Sequence, residues 1–429
     1  MNDRIYKAAV VGLMLTLMGV VMGIASPGLS DTDLGVVDNS LHLPVIITTG
    51  LFYAIILSRM VTHPARVLTS LAAAKTLLPI LMFCVVSGAW SSDPGTTLRR
   101  ALFLALTSLI GIIIGGEYDV PELARLLALA SLIHIFATAC LFAVSRHLLY
   151  SPSDPFSLKG LTTHKNIFGF EMGLAFLTML LVPFRRLENL RWPLAAIALF
   201  LLLLSRSSGS LVATVFALLF VPFLLVLRFP SSQRVPVVLI ALAALGGLGF
   251  LVVENAALLP AIFSKDTTLS GRTELWSLVV IAIGHHPMLG YGFDAFWQGL
   301  QGDSLTIIRG VGWLVPTAHN GYLDLLLGVG VVGALLFLLA LVQFFARALR
   351  YAAAEQSSAR FYPFVLLVFW LVYNLNESAL LSRSGISYLL FCAITTSLGL
   401  RLAARHAAHP APQAFYGAPA GLSHGLPNA

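Results

Sequence analysis

His319 and Asn320 are the residues of this chain whose types and position best suit proton transfer. They follow Pro316 and directly precede the apolar run from Tyr322 to Phe345, so they are predicted to lie at the N-terminus of a long helix. Free backbone N–H groups and the positive end of the helix dipole favour anions there, and they favour a neutral imidazole. A neutral histidine in that place can act as a general base, with helix capping toward water as the alternative role.

A second chemical feature is a set of Lys and Arg side chains on one side of the predicted bundle, several of them where an apolar run meets its loop. Its members are Arg99, Arg100, Arg146, Lys159, Lys165, Arg206, Lys265, Arg272, Arg309 and Arg383. For each one singly, a long side chain anchored at a membrane interface is an equally good explanation. As a set, they predict an anion site at the membrane surface. The net charge of +7 agrees, and it favours an anionic lipid or substrate over nucleic acid.

Gly328, Gly330 and Gly333 form a G-x-G-x-x-G pattern just after this histidine. A dinucleotide-binding turn would need a preceding strand and a soluble βαβ unit, whereas these glycines lie inside an apolar run. We therefore interpret them as a small face on a membrane helix that lets a neighbouring segment approach closely.

The elements that must position these residues are membrane helices. The chain has 429 residues, of which 58% are hydrophobic and 10% charged, and its mean hydropathy is +0.89. This composition is too apolar for a soluble protein. The length of the apolar runs predicts an all-α integral membrane protein with about twelve transmembrane helices in residues 1–400. Lys75 is the only strong charge expected deep inside a run.

The joints between these runs predict an orientation. Lys and Arg are most frequent in the set of joints that includes both termini, which places that set in the cytoplasm. On the other side, residues 254–320 form a loop long enough to be functional. Within it, residues 270–287 are predicted to form an amphipathic helix, with Ser270 as N-cap and Pro287 at its end, so the loop is expected to be structured. The Pro, Gly and Ala-rich residues 401–429 are predicted to be a disordered cytoplasmic tail.

Several of these segments together resemble the O-antigen ligase-like membrane family. His319 and Asn320, then nine residues, then Gly330 and Gly333 match its His-Asn/Ser-x9-Gly-x-x-Gly signature. Shorter matches are S-G-R-T-E-L-W with Arg272 and Trp276, L-T-T-H-K-N with His164 to Asn166, S-R-S-S-G-S with Arg206, and W-S-S-D-P-G-T-T-L-R-R from Trp90 to Arg100. Their order and their shared side extend the resemblance over nearly the whole chain.

The resemblance implies a GT-C-like membrane glycosyltransferase whose site faces the periplasm at a bacterial inner membrane. Its donor would be a glycan on undecaprenyl diphosphate, and its acceptor a hydroxyl of lipid A-core oligosaccharide. His319 would be the general base, and Arg272 and Arg206 would bind and stabilise the diphosphate. Further candidates for the same anion are Lys165, Arg99 and Arg100, and supporting roles fall to Asn320, His164 and Glu377.

Structural alternatives remain open for three of these residues. Arg272 could pair with Glu274 or Asp266, His164 could be a loop histidine bonded to backbone, and Glu377 could be a solvated helix terminus.

No metal or other cofactor is predicted for the transfer. Many glycosyltransferases hold a divalent cation with paired carboxylates, but the one D-x-D pair, Asp31 with Asp33, lies far along the chain from the other motifs. His285 and His286 are adjacent and would point about 100° apart on a helix, so we interpret them as a helix end.

Other functions fit parts of the pattern. A polymerase that lengthens the lipid-linked glycan and an oligosaccharyltransferase that modifies protein serine are the alternatives within the family, and the short C-terminal portion favours the lipid A-core ligase. A polysaccharide transporter would need ionisable residues near the bilayer midplane and two related halves. A structural scaffold would have no need of the cations.

Overall fold

The computed structural model describes residues 3–25, 43–151, 154–184, 188–225 and 271–408, with residues 232, 233 and 236. Within these ranges the regular secondary structure is helical apart from one antiparallel hairpin, whose strands are β1, Tyr150–Ser151, and β2, Asp154–Leu158. The helices are α1 Asp3–Leu17, α2 Val20–Ala25, α3 Leu43–Thr62, α4 Pro64–Ala73, α5 Leu78–Val86, α6 Pro94–Glu117, α7 Val120–Ser145, α8 Lys165–Leu181, α9 Glu188–Leu204, α10 Ser208–Leu225, α11 Arg272–His285, α12 Ser304–Val311, α13 Gly321–Ala354, α14 Tyr362–Tyr373 and α15 Ile386–Ala408.

Five helices of the described ranges are long and apolar enough to cross a membrane, namely α3, α6, α7, α13 and α15. A sixth span results if Pro64–Ala73 and Lys75–Ala89, which meet at a bend of 60°, are counted together. The structure is thus consistent with the predicted all-α membrane class, whereas the number of about twelve spans stays a prediction. Lys75, which was expected deep inside an apolar run, is exposed at this bend.

One ionisable pair lies inside the bundle. His134 on α7 and Glu171 on α8 are fully buried, and His134 Nδ1 is 3.0 Å from Glu171 Oε2. The expectation that Lys75 is the only strong charge within a span is therefore wrong. A buried carboxylate needs a partner that is also buried, and the packing of α7 against α8 supplies it.

Ion pairs gather at one end of the bundle, beyond the end of α13. There Glu355 accepts hydrogen bonds from Arg401 and Arg405. Both arginines lie on α15, which continues to Ala408, so the predicted start of a disordered tail at residue 401 is wrong. His319 lies just before the N-terminus of α13, at the end opposite Glu355. This agrees with the prediction that the cations near His319 and the arginines of the other joints lie on opposite sides of the bundle.

The segment 271–320 is structured, as predicted for that loop. It carries α11 and α12 and has a small apolar core of its own, distinct from the core of the helix bundle. Helix α11 begins at Arg272 with Gly271 as its N-cap residue, which corrects the expected cap at Ser270. His285 ends α11 and His286 packs edge-on against Tyr291, which confirms the helix end.

Gly330, inside α13, is the point at which this helix contacts the segment 271–320. Its φ of 60° and ψ of −168° interrupt the helix in a region that only glycine adopts readily. The N–H groups released at the break donate to the segment after α11: Val331 N lies 2.9 Å from Pro287 O, and Val332 N lies 3.1 Å from Met288 O. The predicted close approach at the glycines is confirmed, and the neighbour is this segment.

Replacing Gly330 with alanine should destabilise the protein by about 1–3 kcal/mol, because the new Cβ requires a strained backbone and would collide with the Met288 backbone. Thermal unfolding in detergent measures the change. Gly50→Ala in α3 is the matched control, since a Cβ there meets nothing within 4 Å and alanine is the better helix former. Equal unfolding temperatures for the two variants would contradict the role given to Gly330.

Candidate active site

Glu377, in the turn between α14 and α15, lies at the centre of the predicted site. Its Oε2 is 3.3 Å from His319 Nδ1, and its Oε1 accepts a hydrogen bond of 3.1 Å from an Nη atom of Arg272. Asn166 Nδ2 donates to the same Oε1. We call Glu377, His319, Arg272 and Asn166 the carboxylate cluster. Its members come from four separate parts of the chain, and Glu377 links them.

Glu377 is ionised in this surrounding. Burial alone would raise the pKa of its carboxyl, but the hydrogen bond from His319 and the charges of His319, Arg272 and His164 outweigh it and lower the pKa to about 2. The side chain is only 16% exposed, so these partners replace most of its hydration. Glu377 is therefore a fixed negative charge between His319 and Arg272, and the alternative of a solvated helix terminus is wrong.

His319 stands where the sequence predicted, directly before α13, but it does not cap that helix. Asn320 does, because its Oδ1 accepts from Tyr322 N at 3.0 Å. The backbone of His319 has a φ of 48°, an uncommon conformation for a residue other than glycine. The imidazole ring centre is 6.0 Å from that of Trp313. The helix terminus and the Glu377 turn together fix the ring.

Arg272 is the first residue of α11, and both arms of its guanidinium contact the Glu377 turn. One Nη donates to Asn376 O at 2.6 Å and the other to Glu377. Of the two alternative partners, Glu274 is exposed and does not pair with Arg272, and Asp266 lies outside the described residues. The planar fork of arginine suits this double contact, which a lysine could not reproduce.

Lys165 and Arg206 form a second cationic group beside the carboxylate cluster. Lys165 Nζ donates to Asp154 Oδ2 at 2.8 Å, and an Nη of Arg206 lies 4.0 Å from the other oxygen of Asp154. Burial raises the pKa of Asp154, but the hydrogen bonds from Lys165 and Ser157 and the charge of Lys165 outweigh it and lower the pKa to about 2. Lys165 directly precedes Asn166 of the cluster, so the two groups adjoin.

Two residues hold these groups in place. His164 is the N-cap of α8, where its Nδ1 accepts from Asn166 N at 3.2 Å, so the alternative of a histidine bonded to backbone is confirmed. Ser210 Oγ, on α10, donates to Asn166 O at 3.2 Å. The segment after Arg206 is thereby packed against the start of α8.

The structure does not bring Arg99 and Arg100 to the cluster. Arg100 is buried and pairs with Asp294, its Nη lying 3.4 Å from Oδ1. Arg383 pairs with the same carboxylate. Arg99 is exposed on the first turns of α6. These two candidates therefore belong to a different part of the surface.

Asp324 is a residue that the sequence analysis missed. Its carboxylate accepts hydrogen bonds from Ala318 N, at 3.1 Å, and from Ser378 Oγ, and these residues immediately precede His319 and follow Glu377. Trp297 Nε1 donates to it at 2.7 Å. Asp324 therefore fixes the two chain segments that carry the base and the carboxylate. The only local signal was an acidic residue in the first turn of an apolar helix.

In the Asp324→Asn variant, turnover of the glycan transfer that the resemblance implies should fall by roughly tenfold. An amide offers one acceptor oxygen where three donors converge on the carboxylate. Steady-state rates of the purified variant measure this. Asp303→Asn, at an exposed residue with no side-chain cap hydrogen bond, is the matched control. An unaltered rate for Asp324→Asn would show that Asp324 does not position the site.

The combined arrangement can carry out proton transfer next to a bound anion. Lys165, Arg206 and Arg272 face the two carboxylates of Asp154 and Glu377, so in the described part of the chain cations exceed carboxylates here, and an added anion would restore the balance. With Nδ1 of His319 donating to Glu377, Nε2 is the nitrogen that can accept a proton. The imidazole and the neighbouring cations can together activate a hydroxyl beside a bound phosphate.

Comparison with known proteins agrees with these features. The O-Antigen ligase family model (Wzy_C) matches residues 167–338, a range that contains Arg206, Arg272 and His319. The chain is 25% identical over 312 residues to the exopolysaccharide production protein ExoQ of Rhizobium meliloti, covering 68% of this chain and 69% of that protein. It is 26% identical over 337 residues to the O-antigen ligase of Pseudomonas aeruginosa, covering 76% of this chain and 74% of that protein.

The motif from His319 to Gly333, the cations around Glu377 and the matched range agree on one point: residues 167–338 of this chain are similar to the O-antigen ligase family.

Proposed function

We propose that this protein is a membrane glycosyltransferase that moves a polysaccharide from undecaprenyl diphosphate to a hydroxyl of lipid A-core oligosaccharide. The observation that carries the proposal is the carboxylate cluster, in which Glu377 holds a histidine and an arginine side by side. A base and an anion-binding group in contact are what transfer from a diphosphate to a hydroxyl requires. The family match supports a polysaccharide ligase or polymerase-like function at this coarser level.

His319 is the base in this proposal. Its Nε2 accepts the proton of the acceptor hydroxyl while Nδ1 donates to Glu377, whose charge stabilises the imidazolium that forms. The acceptor oxygen then bonds to the anomeric carbon of the donor. The bond from that carbon to the phosphate oxygen breaks, and its electron pair leaves with the diphosphate. A single displacement of this kind inverts the anomeric configuration.

Arg272, Arg206 and Lys165 bind the diphosphate and stabilise the charge that grows on it. Arg272 and Lys165 are each less than one-fifth exposed, and an anion bound in such surroundings is stabilised more than in water. Because these cations supply the neutralising charge, the proposed transfer needs no divalent metal. Asn320 and His164 support the site as helix caps.

The proposal also places the protein in its membrane. The cluster lies beside the start of α13, opposite the end that carries Glu355 and its arginines. We assign the cluster to the periplasmic face of a bacterial inner membrane and the arginine-rich end, with both termini, to the cytoplasm. A donor anchored by a polyprenyl tail would then meet the cluster at the membrane surface.

A reconstitution tests the proposed reaction. The purified protein is incubated in EDTA with undecaprenyl-diphosphate-linked glycan and lipid A-core, and the products are separated by size. We expect glycan on the core with the wild type. If the donor itself lengthens, the protein is a polymerase, and if neither species changes, the enzymatic proposal fails and transport is the next function to assay. Activity that returns only on adding a divalent cation would refute the metal-independent step alone.

A further inference from the structure

A cavity of about 290 Å³ adjoins the carboxylate cluster. It lies between the start of α13, the segment around Asp294 and the turn that leads from Glu377 into α15. Thr317 and Gly321, on either side of His319 and Asn320, contribute to its wall. The cavity therefore begins where the proposed base is held.

The cavity wall combines polar and apolar side chains, and its charges balance. Asp294 pairs with Arg383 on the wall and with Arg100 from outside it. Asp324 is the second carboxylate of the wall, so two carboxylates and two guanidinium groups lie at the cavity among the described residues. The cationic excess around Lys165, Arg206 and Arg272 has no counterpart here. A neutral ligand suits a balanced site, whereas a diphosphate would meet the repulsion of two carboxylates.

The chemistry of the exposed side chains indicates which class of neutral ligand fits the cavity. Asp294 and Arg383 are paired with each other, yet their side chains are 34% and 35% exposed. A carboxylate accepts hydrogen bonds and a guanidinium donates them, which matches the hydroxyls of a sugar, since each hydroxyl does both. Trp297 adds an aromatic wall whose indole N–H is already used by Asp324. Pockets of this size bind small molecules through a few such polar groups on an apolar wall.

The backbone singles out the same two places. Among the described residues, those other than glycine with positive φ are Arg206, His319, Asp294 and Leu381. The first two belong to the proposed active site, and the other two belong to the cavity wall. Strained conformations of this kind persist where surrounding structure holds them, and they cluster at active sites and ligand clamps.

We propose that this cavity binds the terminal sugar of the acceptor, with Asp294 and Arg383 on its hydroxyls and Trp297 beside its ring. The inference rests on the proposed function and names the part of the site that its second substrate occupies. Donor and acceptor then approach His319 from two differently charged surfaces: the diphosphate from the cationic group and the neutral sugar from the balanced cavity. This arrangement keeps the two substrates from exchanging places.

Ser384→Trp tests the proposal, because Ser384 is an exposed residue at the cavity wall where a large side chain fills space without disturbing the core. In the reconstituted reaction we expect the KM for lipid A-core to rise about tenfold or more and the KM for the donor to stay within about twofold. Ser277→Trp on α11, also exposed, is the matched control and should change neither constant. An unchanged acceptor KM, or equal rises in both, would overturn the proposal.

A second variant and a binding measurement separate this inference from the proposed function. Asp294→Asn keeps the side-chain shape, and asparagine tolerates the positive φ at that residue, so its acceptor KM should also rise. If the wild type turns over no donor, the proposed function fails, and equilibrium binding of delipidated core oligosaccharide then tests the cavity. Binding by the wild type that Ser384→Trp removes supports the sugar site, and no binding by the wild type overturns it.

Discussion

We expect the His319→Asn variant to lose glycan transfer, with turnover reduced roughly 10²- to 10⁴-fold, the usual contribution of a positioned general base. Asparagine is the informative replacement because it tolerates the left-handed backbone that His319 adopts, with φ of 48°, whereas alanine adds strain to the chemical loss. Release of undecaprenyl diphosphate and glycan on lipid A-core are measured together. Donor binding should persist, because the cations that would hold the diphosphate remain in place.

The matched control is His285→Ala, which removes an exposed imidazole from the end of α11. It should retain the wild-type rate. If His319→Asn also transfers glycan at the wild-type rate while remaining folded, another group removes the proton and the proposed mechanism is wrong.

The second large effect is expected for Glu377→Gln. The amide keeps the shape of the side chain but leaves Arg272 and His319 without their negative partner, so turnover should fall by about 10²-fold. The loss should persist well below the unfolding temperature, where a variant that merely lost stability would keep its rate. Glu274→Gln, an exposed residue on α11, removes the same charge as a control and should keep the wild-type rate.

The stability of the wild-type protein should depend on the ionisation of Glu377. The pKa of Glu377 is about 2 in the folded protein against a usual value of 4.5, so ionised Glu377 stabilises the fold. This contribution is complete above the usual value and is lost as the pH falls from about 4.5 toward 2. Glu377→Gln should lack it at every pH. Unfolding temperatures that do not differ between the variant and the wild type at pH 7 would contradict the pairing.

The sequence was informative where the signal was local. Pro316, the polar pair His319 and Asn320 and the apolar run after them predicted a helix terminus, and the structure has one there. Arg272 was predicted at the start of a helix because charged residues and apolar spacing follow it directly. These signals depend on neighbours in the chain, so a single sequence contains them.

What the sequence could not predict was the identity of partners far along the chain. Arg100 matched an anion site equally well, but folding pairs it with Asp294. Glu377 looked like a helix end until the fold placed His319 and Arg272 against it. The glycine pattern predicted space, whereas the helix break at Gly330 depends on carbonyl groups of Pro287 and Met288 that no local pattern reveals.

The break at Gly330 also lies between the two apolar cores, and the arginines proposed to bind the diphosphate come from both sides of it. The part of α13 before the break contributes Leu327 to the small core of segment 271–320 and Val329 to the core of the helix bundle, and the part after it contributes Phe337 to the bundle. His319 and Arg272 lie in the segment with the small core, while Arg206 lies in the bundle. A diphosphate bridging Arg206 and Arg272 would act as a cross-link between the two, so donor binding should raise the unfolding temperature of both together. The bound donor would thereby stabilise the packing of segment 271–320 against the helix bundle.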